Sequence, residues 1–172
     1  MHLNSELLFT KYAKKYFKPG IRVLEIGPNS LPSKYYSLVR DRSVHWDTLG
    51  LDSLRFKRLT FRSKSEYNYP LDDNSYDIVL SGQVLEHVKK VWIWMKELAR
   101  ICNKGGHVIT INPISWEYHE VPVDCWRVYP EGMRALYDEA NLKVILSEFE
   151  DLDNIQHSID AITIGQKVNE TD

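Results

Sequence analysis

The sequence has 172 residues, of which 43% are hydrophobic and 27% charged, with a formal net charge of −2. That size and balance predict one globular domain, and the lack of a large positive charge argues against a nucleic-acid-binding protein. The two cysteines, Cys102 and Cys125, and the six histidines form no Cys-x-x-Cys, Cys/His or His-x-x-x-His metal spacing. We therefore expect free thiols, no disulfide framework and no metal site.

No part of the sequence has the pattern of a leader or of a membrane span. Residues 1–6 lack a basic segment followed by an apolar core, and no stretch approaches the ~18–20 apolar residues that a spanning helix needs. No basic stripe with interleaved aromatic residues favours nucleic acid as a substrate. We expect a cytoplasmic protein with neither a membrane nor a nucleic-acid partner.

Apolar side chains at helical spacing alternate along the chain with short runs of branched residues. In chain order the pattern predicts a helix at 5–17, a strand at 21–26, a turn at 27–30, a short helix at 31–40, strands at 43–49 and 58–61, a polar turn at 71–75, a strand at 76–80, a helix at 84–103, a strand at 107–111, an aromatic loop at 112–128, a helix at 130–140, and strands at 143–149 and 159–166. Ser5 is a candidate cap for the first helix, and Pro130 starts the last, where its missing N–H costs least.

Strands separated by helices predict a mostly parallel sheet with helices on both faces. Only residues 151–158 separate the last two strands, which is too short for a parallel crossover, so we expect that pair to be antiparallel. The predicted fold is α/β: a Rossmann-like, doubly wound sheet of seven strands, mostly parallel with an antiparallel last strand. Residues 1–172 form one predicted domain, with an N-terminal helix within 1–19 and a frayed tail at 167–172.

Two tryptophans lie on the helix predicted at 84–103. Trp92 shares a helical face with Met95, which predicts that Trp92 packs in the core. Trp94 is expected to be more exposed, and an exposed Trp on a helix would indicate a partner surface.

The turn after the first strand reads Glu25-Ile26-Gly27-Pro28-Asn29. Ligands of open α/β sheets lie outside the carboxyl ends of the strands, and a glycine there lets the backbone approach a ligand closely. Glu25 can meet a cationic group at this position. The alternative is a tight turn that binds no ligand. A nicotinamide oxidoreductase is disfavoured, because the later phosphate-binding glycines are missing and Pro28 lacks an N–H.

A carboxylate about 20 residues beyond the glycine turn can accept hydrogen bonds from the two hydroxyls of a ribose. Asp47 and Asp52 both fall in this range. Asp52 is slightly favoured because it is expected in the loop beyond the second strand. Either carboxylate is alternatively an ordinary solvated surface group.

The turn resembles the first motif of class I S-adenosylmethionine-dependent methyltransferases, an acidic residue followed by x-Gly-x-Gly-x-Gly. Glu25 and Gly27 match, whereas Asn29 stands at the second glycine position and Leu31 at the third. The resemblance implies that Glu25 acts near the methionine amino group, with Gly27, Pro28 and Asn29 lining the methionine and ribose. Gly50 stands where relatives often carry the ribose-binding acid.

Residues 71–88, LDDNSYDIVLSGQVLEHV, closely resemble the central segment of the same family. The resemblance implies that Ser81, Gly82 and Gln83 lie against the adenosyl group and the sulfonium. Glu86 and His87 would open the next helix close to the site, with His87 among the residues that hold the cofactor. Relatives carry an acid further upstream that meets the adenine amino group, and this role falls on Ser65 by count or on the neighbouring Glu66. A packing role is the alternative for His87.

The long loop before the last helix also resembles a family segment, His-x-x-Pro-x-Asp-x-Trp-Arg followed by an aromatic residue, Pro, Glu and Gly. This chain keeps His119, Pro122, Asp124, Trp126, Arg127, Tyr129, Pro130, Glu131 and Gly132. The pattern is similar to the type-11 methyltransferases, in which the loop packs over the acceptor side.

Two interpretations of this loop stay open. Asp124 and Arg127 form a structural ion pair that anchors it, or His119 acts as general base for a hydroxyl or amine acceptor. Methyl transfer depends mainly on alignment of the reacting atoms, so a base is not obligatory. His119, Asp124 and Arg127 are accordingly the residues expected to face or frame the acceptor.

The resemblance implies an enzyme that uses S-adenosyl-L-methionine, releases S-adenosyl-L-homocysteine, and methylates O, N or C of a small-molecule acceptor such as a saccharide. The compact chain leaves little protein to enclose the acceptor, which fits an open site or a wall supplied by a homo-oligomer or a partner protein. The incomplete glycine motif and Gly50 motivate the alternative, an inactive methyltransferase-fold module for binding or scaffolding.

Overall fold

The computed structural model describes residues 3–41, 43–52, 58–120, 122–152 and 158–168. Seven strands form one sheet in the order β3-β2-β1-β4-β5-β7-β6. The strands are β1 (Arg22–Ile26), β2 (His45–Leu51), β3 (Phe61–Ser63), β4 (Tyr76–Gly82), β5 (Cys102–Ser115), β6 (Leu142–Glu150) and β7 (Ile159–Lys167). The α-helices are α1 (Leu3–Leu8), α2 (Lys34–Val39), α3 (Val91–Ile101) and α4 (Pro130–Glu139).

The sheet confirms the predicted topology. Strands β3, β2, β1, β4 and β5 pair in parallel, whereas β7 runs antiparallel to both β5 and β6. The strand order reverses between β1 and β4, because the chain leaves β1 toward β2 and returns to β4 on the other side. Such a reversal opens a crevice at the carboxyl ends of the strands. The fold therefore places a ligand site beyond the ends of β1 and β4.

Each face of the sheet carries its own hydrophobic core. Helices α1 and α2 cover one face, called here the α1/α2 face, where Phe9, Tyr35 and Leu80 are buried. Helices α3 and α4 cover the other, the α3/α4 face, where Trp94 and Tyr137 are fully buried. Buried side chains on both faces explain the nearly continuous apolar runs of the central parallel strands.

The first helix differs from the prediction in its geometry. Helix α1 continues as a π-helical turn at Phe9–Ala13 and a 3₁₀ turn at Lys14–Tyr16. Ser5 does not cap it, since it is buried inside α1 and its hydroxyl donates to Asp160 Oδ2 at 2.9 Å. This bond attaches the N-terminal segment to β7, at the other end of the chain.

The single helix predicted at 84–103 is wrong. The structure has a 3₁₀ turn at Leu85–His87 and begins α3 only at Val91. The carbonyl of Glu86 accepts from Cys125 N at 2.7 Å, and that of Val88 from Trp126 Nε1 at 2.8 Å. These oxygens would serve the next helical turn in a continuous helix, so their use by a distant loop ends it.

Several predicted boundaries also shift. The third strand lies at 61–63 rather than 58–61, and the second and fourth extend to 51 and 82. Strand β5 begins at residue 102 rather than 107, and the glycines at 105 and 106 lie within it. The last helix and the final antiparallel pair are confirmed within one or two residues. Of the predicted frayed tail, residues 169–172 lie outside the described residues.

The expectations for the two tryptophans are reversed in the structure. Trp94 is fully buried and its indole N–H donates to Tyr69 Oη at 2.9 Å, whereas Trp92 is 45% exposed. The buried stripe of α3 runs through Val91, Trp94 and Leu98, at spacings of three and four residues. Trp92 instead contacts Trp126 edge-on, with ring centroids 6.4 Å apart.

Both cysteines are free, with Cys102 buried and Cys125 exposed. Among the described residues, no helix combines the length and the apolar character needed to cross a bilayer.

The tryptophan pair gives a direct test of this packing. Trp94→Ala removes a fully buried ring and should lower the free energy of unfolding by about 3–5 kcal/mol. Trp92→Ala, on the same helix but half exposed, should cost less than about 1 kcal/mol. Urea denaturation of both variants measures the difference, and equal losses or the reverse order would contradict the placement of α3.

Candidate active site

The turn after β1 needs a glycine for two reasons. Gly27 has a φ of +62°, in the left-handed region. A Cβ at this position would also lie 2.6 Å from Val84 Cγ2, since Val84 follows β4 and packs directly over the turn. The Gly27 amide donates to the carbonyl of Leu49 in β2 at 2.8 Å. The turn is thus held between the ends of β2 and β4.

The predicted carboxylate of this turn is deeply buried. Glu25 is 3% exposed, and its Oε2 accepts a hydrogen bond from Trp46 Nε1 at 2.9 Å. Burial raises the pKa of Glu25 to about 7, partly offset by hydrogen bonds from Ser33 and Trp46. The group is therefore ready to ionise when a cationic ligand approaches. Trp46 was not among the predicted site residues, because nothing in its sequence context links it to Glu25.

The two candidate ribose acids lie in different places. Asp47 is in the middle of β2, in register with Leu24, and accepts a hydrogen bond from Tyr76 Oη at 2.9 Å. Asp52 follows β2 directly at the carboxyl edge, is exposed, and its amide donates to the Ser63 carbonyl at 2.9 Å. Only Asp52 lies where the fold opens its crevice.

The predicted adenine-side residues follow β3 at the same edge. Ser65 is half-buried, and its Oγ accepts from Tyr67 N at 3.0 Å. Glu66 is also half-buried and forms a side-chain hydrogen bond with Tyr67, which contributes to raising the pKa of that tyrosine. Because β3 pairs with β2, this segment lies beside Asp52.

The end of β4 contributes small and polar residues. Ser81 is buried, and its Oγ has no hydrogen-bond partner among the described residues. A Cβ at Gly82 would collide with the Tyr35 ring. Gln83 has a φ of +59°, and its Nε2 donates to Ser5 Oγ and to Asp160 Oδ1, each at 3.1 Å. Its side chain therefore joins α1 to β7, so only its backbone faces the crevice.

The loop between β5 and α4, residues 116–129, is attached to the 3₁₀ turn after β4. Cys125 N donates to Glu86 O, and Trp126 Nε1 donates to Val88 O. In addition, Val123 O lies 2.6 Å from His87 Nδ1. The ring of His119 meets that of His87 edge-on, with centroids 5.0 Å apart. His87 and His119, predicted for the cofactor and the acceptor, are therefore neighbours.

The ion pair predicted between Asp124 and Arg127 is present and bidentate. Arg127 Nη1 donates to Oδ1 at 2.5 Å and Nη2 to Oδ2 at 2.7 Å. The Asp124 side chain is only 1% exposed, and the bonds from Arg127 hold its pKa well below the usual range. Arg127 also donates to the carbonyls of Trp116 and Glu117, so one guanidinium joins the first residues of the loop to Asp124.

A second acid, Glu86, lies beside the two histidines. Its side chain is 1% exposed, and His87 Nε2 is 3.7 Å from its Oε1. Burial raises the pKa of Glu86 to about 8. The resemblance put Glu86 near the site without a role. Only the fold shows that it is enclosed by the loop.

A cavity of about 350 Å³ lies between α2 and β2, with Ser33, Tyr36, Trp46 and Thr48 in its wall. It opens beside the middle of β2, on the α1/α2 face. Its wall includes both hydrogen-bond partners of Glu25, Ser33 and Trp46.

Comparison with known proteins agrees with this geometry. Residues 37–110 match the family model described as a methyltransferase domain. A protein of Mycobacteroides abscessus named "uncharacterized methyltransferase" is 37% identical over 98 residues, which is 57% of this chain and 34% of that protein. The chain thus spans about a third of the length of the curated relative it matches.

Solved structures share the whole fold. A chain of the complex between the Haloferax volcanii Trm112 methyltransferase activator and a methyltransferase superimposes with a TM-score of 0.70 at 18% identity, covering 98% of this chain and 92% of that chain. A SAM-dependent methyltransferase from Aquifex aeolicus gives 0.65 at 16%, covering 96% and 95%. The cyclase SpnF gives 0.70 at 14%, covering 95% and 81%, so this fold by itself does not fix the reaction.

The raised pKa of Glu25 predicts a pH-dependent stability. The folded state keeps the proton up to about pH 7 and the unfolded chain only to about 4.5, so raising the pH through this window destabilises the fold. Relative to Glu25→Gln, the wild type should be equally stable below pH 4.5 and about 3 kcal/mol less stable above pH 7. Denaturation of both proteins across this range, with the exposed Glu131→Gln as control, tests it. A constant difference between the two proteins would contradict the shift.

The loop ion pair predicts a second effect. Arg127→Ala leaves the buried Asp124 carboxylate unpaired and should cost about 3 kcal/mol, with faster amide exchange over 116–129. Lys96→Ala breaks an exposed pair with Glu139 and should cost less than about 0.5 kcal/mol. Denaturation and hydrogen exchange report both effects. A loop that stays protected in Arg127→Ala would show that other contacts hold it.

Proposed function

We propose that this chain is a methyltransferase of the type-11 family of class I domains, that it binds S-adenosylmethionine at the carboxyl edge of β1, β2 and β4, and that it methylates a small-molecule acceptor. The single observation that carries the proposal is the crevice at the β1/β4 reversal, bordered by Gly27, Asp52 and Ser81.

The residues at this edge fit the cofactor. Gly50 carries no side chain at the end of β2, and the buried Ser81 Oγ has no partner among the described residues. Pro28 lacks an N–H, which matters little for a ligand without a phosphate. Asn29 is exposed at the mouth of the turn. These features favour a binding enzyme over an inactive scaffold.

S-adenosylmethionine supplies a methyl group on a cationic sulfonium. In our proposal Glu25 meets the methionine ammonium, Asp52 accepts from the ribose hydroxyls, and Ser65 or Glu66 meets the adenine. The middle-strand position of Asp47 and its bond from Tyr76 argue against a ribose role for it. The backbone at Gly82 and Gln83 borders the methionine end.

The acceptor side is the loop 116–129. His119 borders this space, and Asp124 and Arg127 hold the loop that carries it. Tyr118 and Tyr129 are 72% and 58% exposed, so flat apolar faces are available to a ring-shaped acceptor such as a saccharide. Alignment of the acceptor with the methyl group supplies most of the rate in such a transfer.

An open acceptor side also leaves room for a second protein. The Haloferax volcanii neighbour was solved with an activator protein. We therefore also propose that a second copy of this chain or a partner protein forms one wall of the acceptor site.

The two aspartates give a matched test of the cofactor site. Isothermal titration with S-adenosylhomocysteine should show one site in the wild type, and Asp52→Ala should weaken it at least about tenfold, since two hydrogen bonds to a charged acceptor are lost. Asp47→Ala should leave the affinity within about twofold. No binding by the wild type at millimolar ligand would contradict the proposed function, and loss in Asp47→Ala alone would reassign the ribose acid.

A further inference from the structure

The turn after β4 and the loop 116–129 bring three side chains together. Glu86, His87 and His119 each offer one ligand atom, and these atoms all lie within 4.8 Å of one another. Spacing along the chain predicted no metal site, because His87 and His119 are 32 residues apart in sequence. The fold creates the cluster by docking the loop onto the turn.

The carboxylate of this cluster lacks the partners that a buried charge needs. Glu86 is 1% exposed, and neither of its oxygens has a hydrogen-bond partner in another described residue. The guanidinium of Arg127 does not pair with Glu86, because both of its Nη atoms donate to Asp124 or to loop carbonyls. Buried carboxylates that ionise are paired or coordinate metals. Because neither oxygen has such a partner and two imidazoles lie next to them, Glu86 is a candidate ligand for a cation.

A backbone carbonyl lies within hydrogen-bond distance of one ring nitrogen of each imidazole. His87 Nδ1 lies 2.6 Å from the carbonyl oxygen of Val123, which can only accept, so the proton is on Nδ1 and the lone pair on Nε2. His119 Nδ1 lies 3.1 Å from the carbonyl oxygen of Glu117, with the same consequence. A backbone carbonyl on the far ring nitrogen is the usual outer support of a metal-bound histidine.

We propose that Glu86, His87 and His119 form a binding site for a divalent transition-metal ion, with Zn²⁺ as the best match. Two imidazoles and one carboxylate are a donor set of open zinc sites, which keep a fourth position for water or a substrate atom. That fourth position would face the acceptor side, so His119 acts there as a ligand and not as a free base.

The geometry needs only a small adjustment. His87 Nε2 and Glu86 Oε1 are 3.7 Å apart, and ligand atoms of a tetrahedral zinc ion are separated by about 3.4 Å. All three ligand atoms lie within 4.8 Å of one another, so closure by at most about 1.4 Å is needed. We assign this movement to His119, whose side chain is 32% exposed on the loop. Metal binding is measured without S-adenosylmethionine, so a failure of the metal site can be distinguished from a failure of the proposed methyl transfer.

The test is titration of the chelator-treated 172-residue chain with Zn²⁺ in competition with a chromophoric chelator. The titration is repeated with Co²⁺ to read the coordination number from its visible spectrum. One equivalent should bind with a dissociation constant below about 1 μM. Glu86→Gln and His119→Ala should each weaken binding at least about 100-fold, since loss of outer support alone costs about 10–100-fold.

Two variants serve as controls. His107→Ala removes a half-buried histidine that packs on Tyr16 away from the cluster, and Cys125→Ser removes the exposed thiol of the same loop. Both should bind like the wild type. Three results would each overturn the proposal. The first is absence of binding at 100 μM Zn²⁺, which is about 100 times the expected dissociation constant. The others are unchanged binding in Glu86→Gln and His119→Ala, and loss of binding in either control. Since His119 lies on the loop surface, its variant remains informative if Glu86→Gln does not fold.

Discussion

Two backbone carbonyls after β4 determine much of this structure. Those of Glu86 and Val88 accept hydrogen bonds from Cys125 and from the Trp126 indole, and not from the next turn of a helix. This choice ends a helix that the local sequence would continue. It also fixes the loop 116–129 over the carboxyl edge of the sheet, and α3 then begins at Val91 with Trp94 in the core.

The same constraint gives the glycine turn its shape. Val84, which directly precedes the 3₁₀ turn, lies over Gly27, and a side chain at position 27 would have no room. The glycine is thus required by protein packing as well as by any ligand. This explains how the motif keeps its first glycine while Asn29 and Leu31 replace the later ones.

Local patterns in the sequence predict most of the fold. The order of strands and helices follows from periodicity, the antiparallel pair β6–β7 from the short connection at 151–158, and the start of α4 from Pro130. The break before α3 does not follow, because the bonds that cause it join residues more than 35 positions apart. The burial of Trp94 follows from its spacing to Val91 and Leu98 on one face of α3.

The candidate site is likewise predictable only where it depends on local sequence patterns. Glu25, Gly27 and Asp52 lie on consecutive β-strand ends, so their meeting at one edge is predictable from the alternation of strands and helices. The choice between Asp47 and Asp52 required the register of β2 against β1. The cluster of Glu86, His87 and His119 depends on a loop docking against a distant turn, and no spacing rule along the chain predicts it.

We propose that S-adenosylmethionine binds at the carboxyl edge of β1, β2 and β4. Backbone amide NMR of the chain titrated with S-adenosylhomocysteine maps the residues that respond to this ligand. We expect the largest shifts at Gly27, Asp52 and Gln83, with smaller changes at Ser65 and Glu66. Shifts confined to the opposite edge, around Ile21 and Gly105, or no shifts at millimolar ligand, would contradict it.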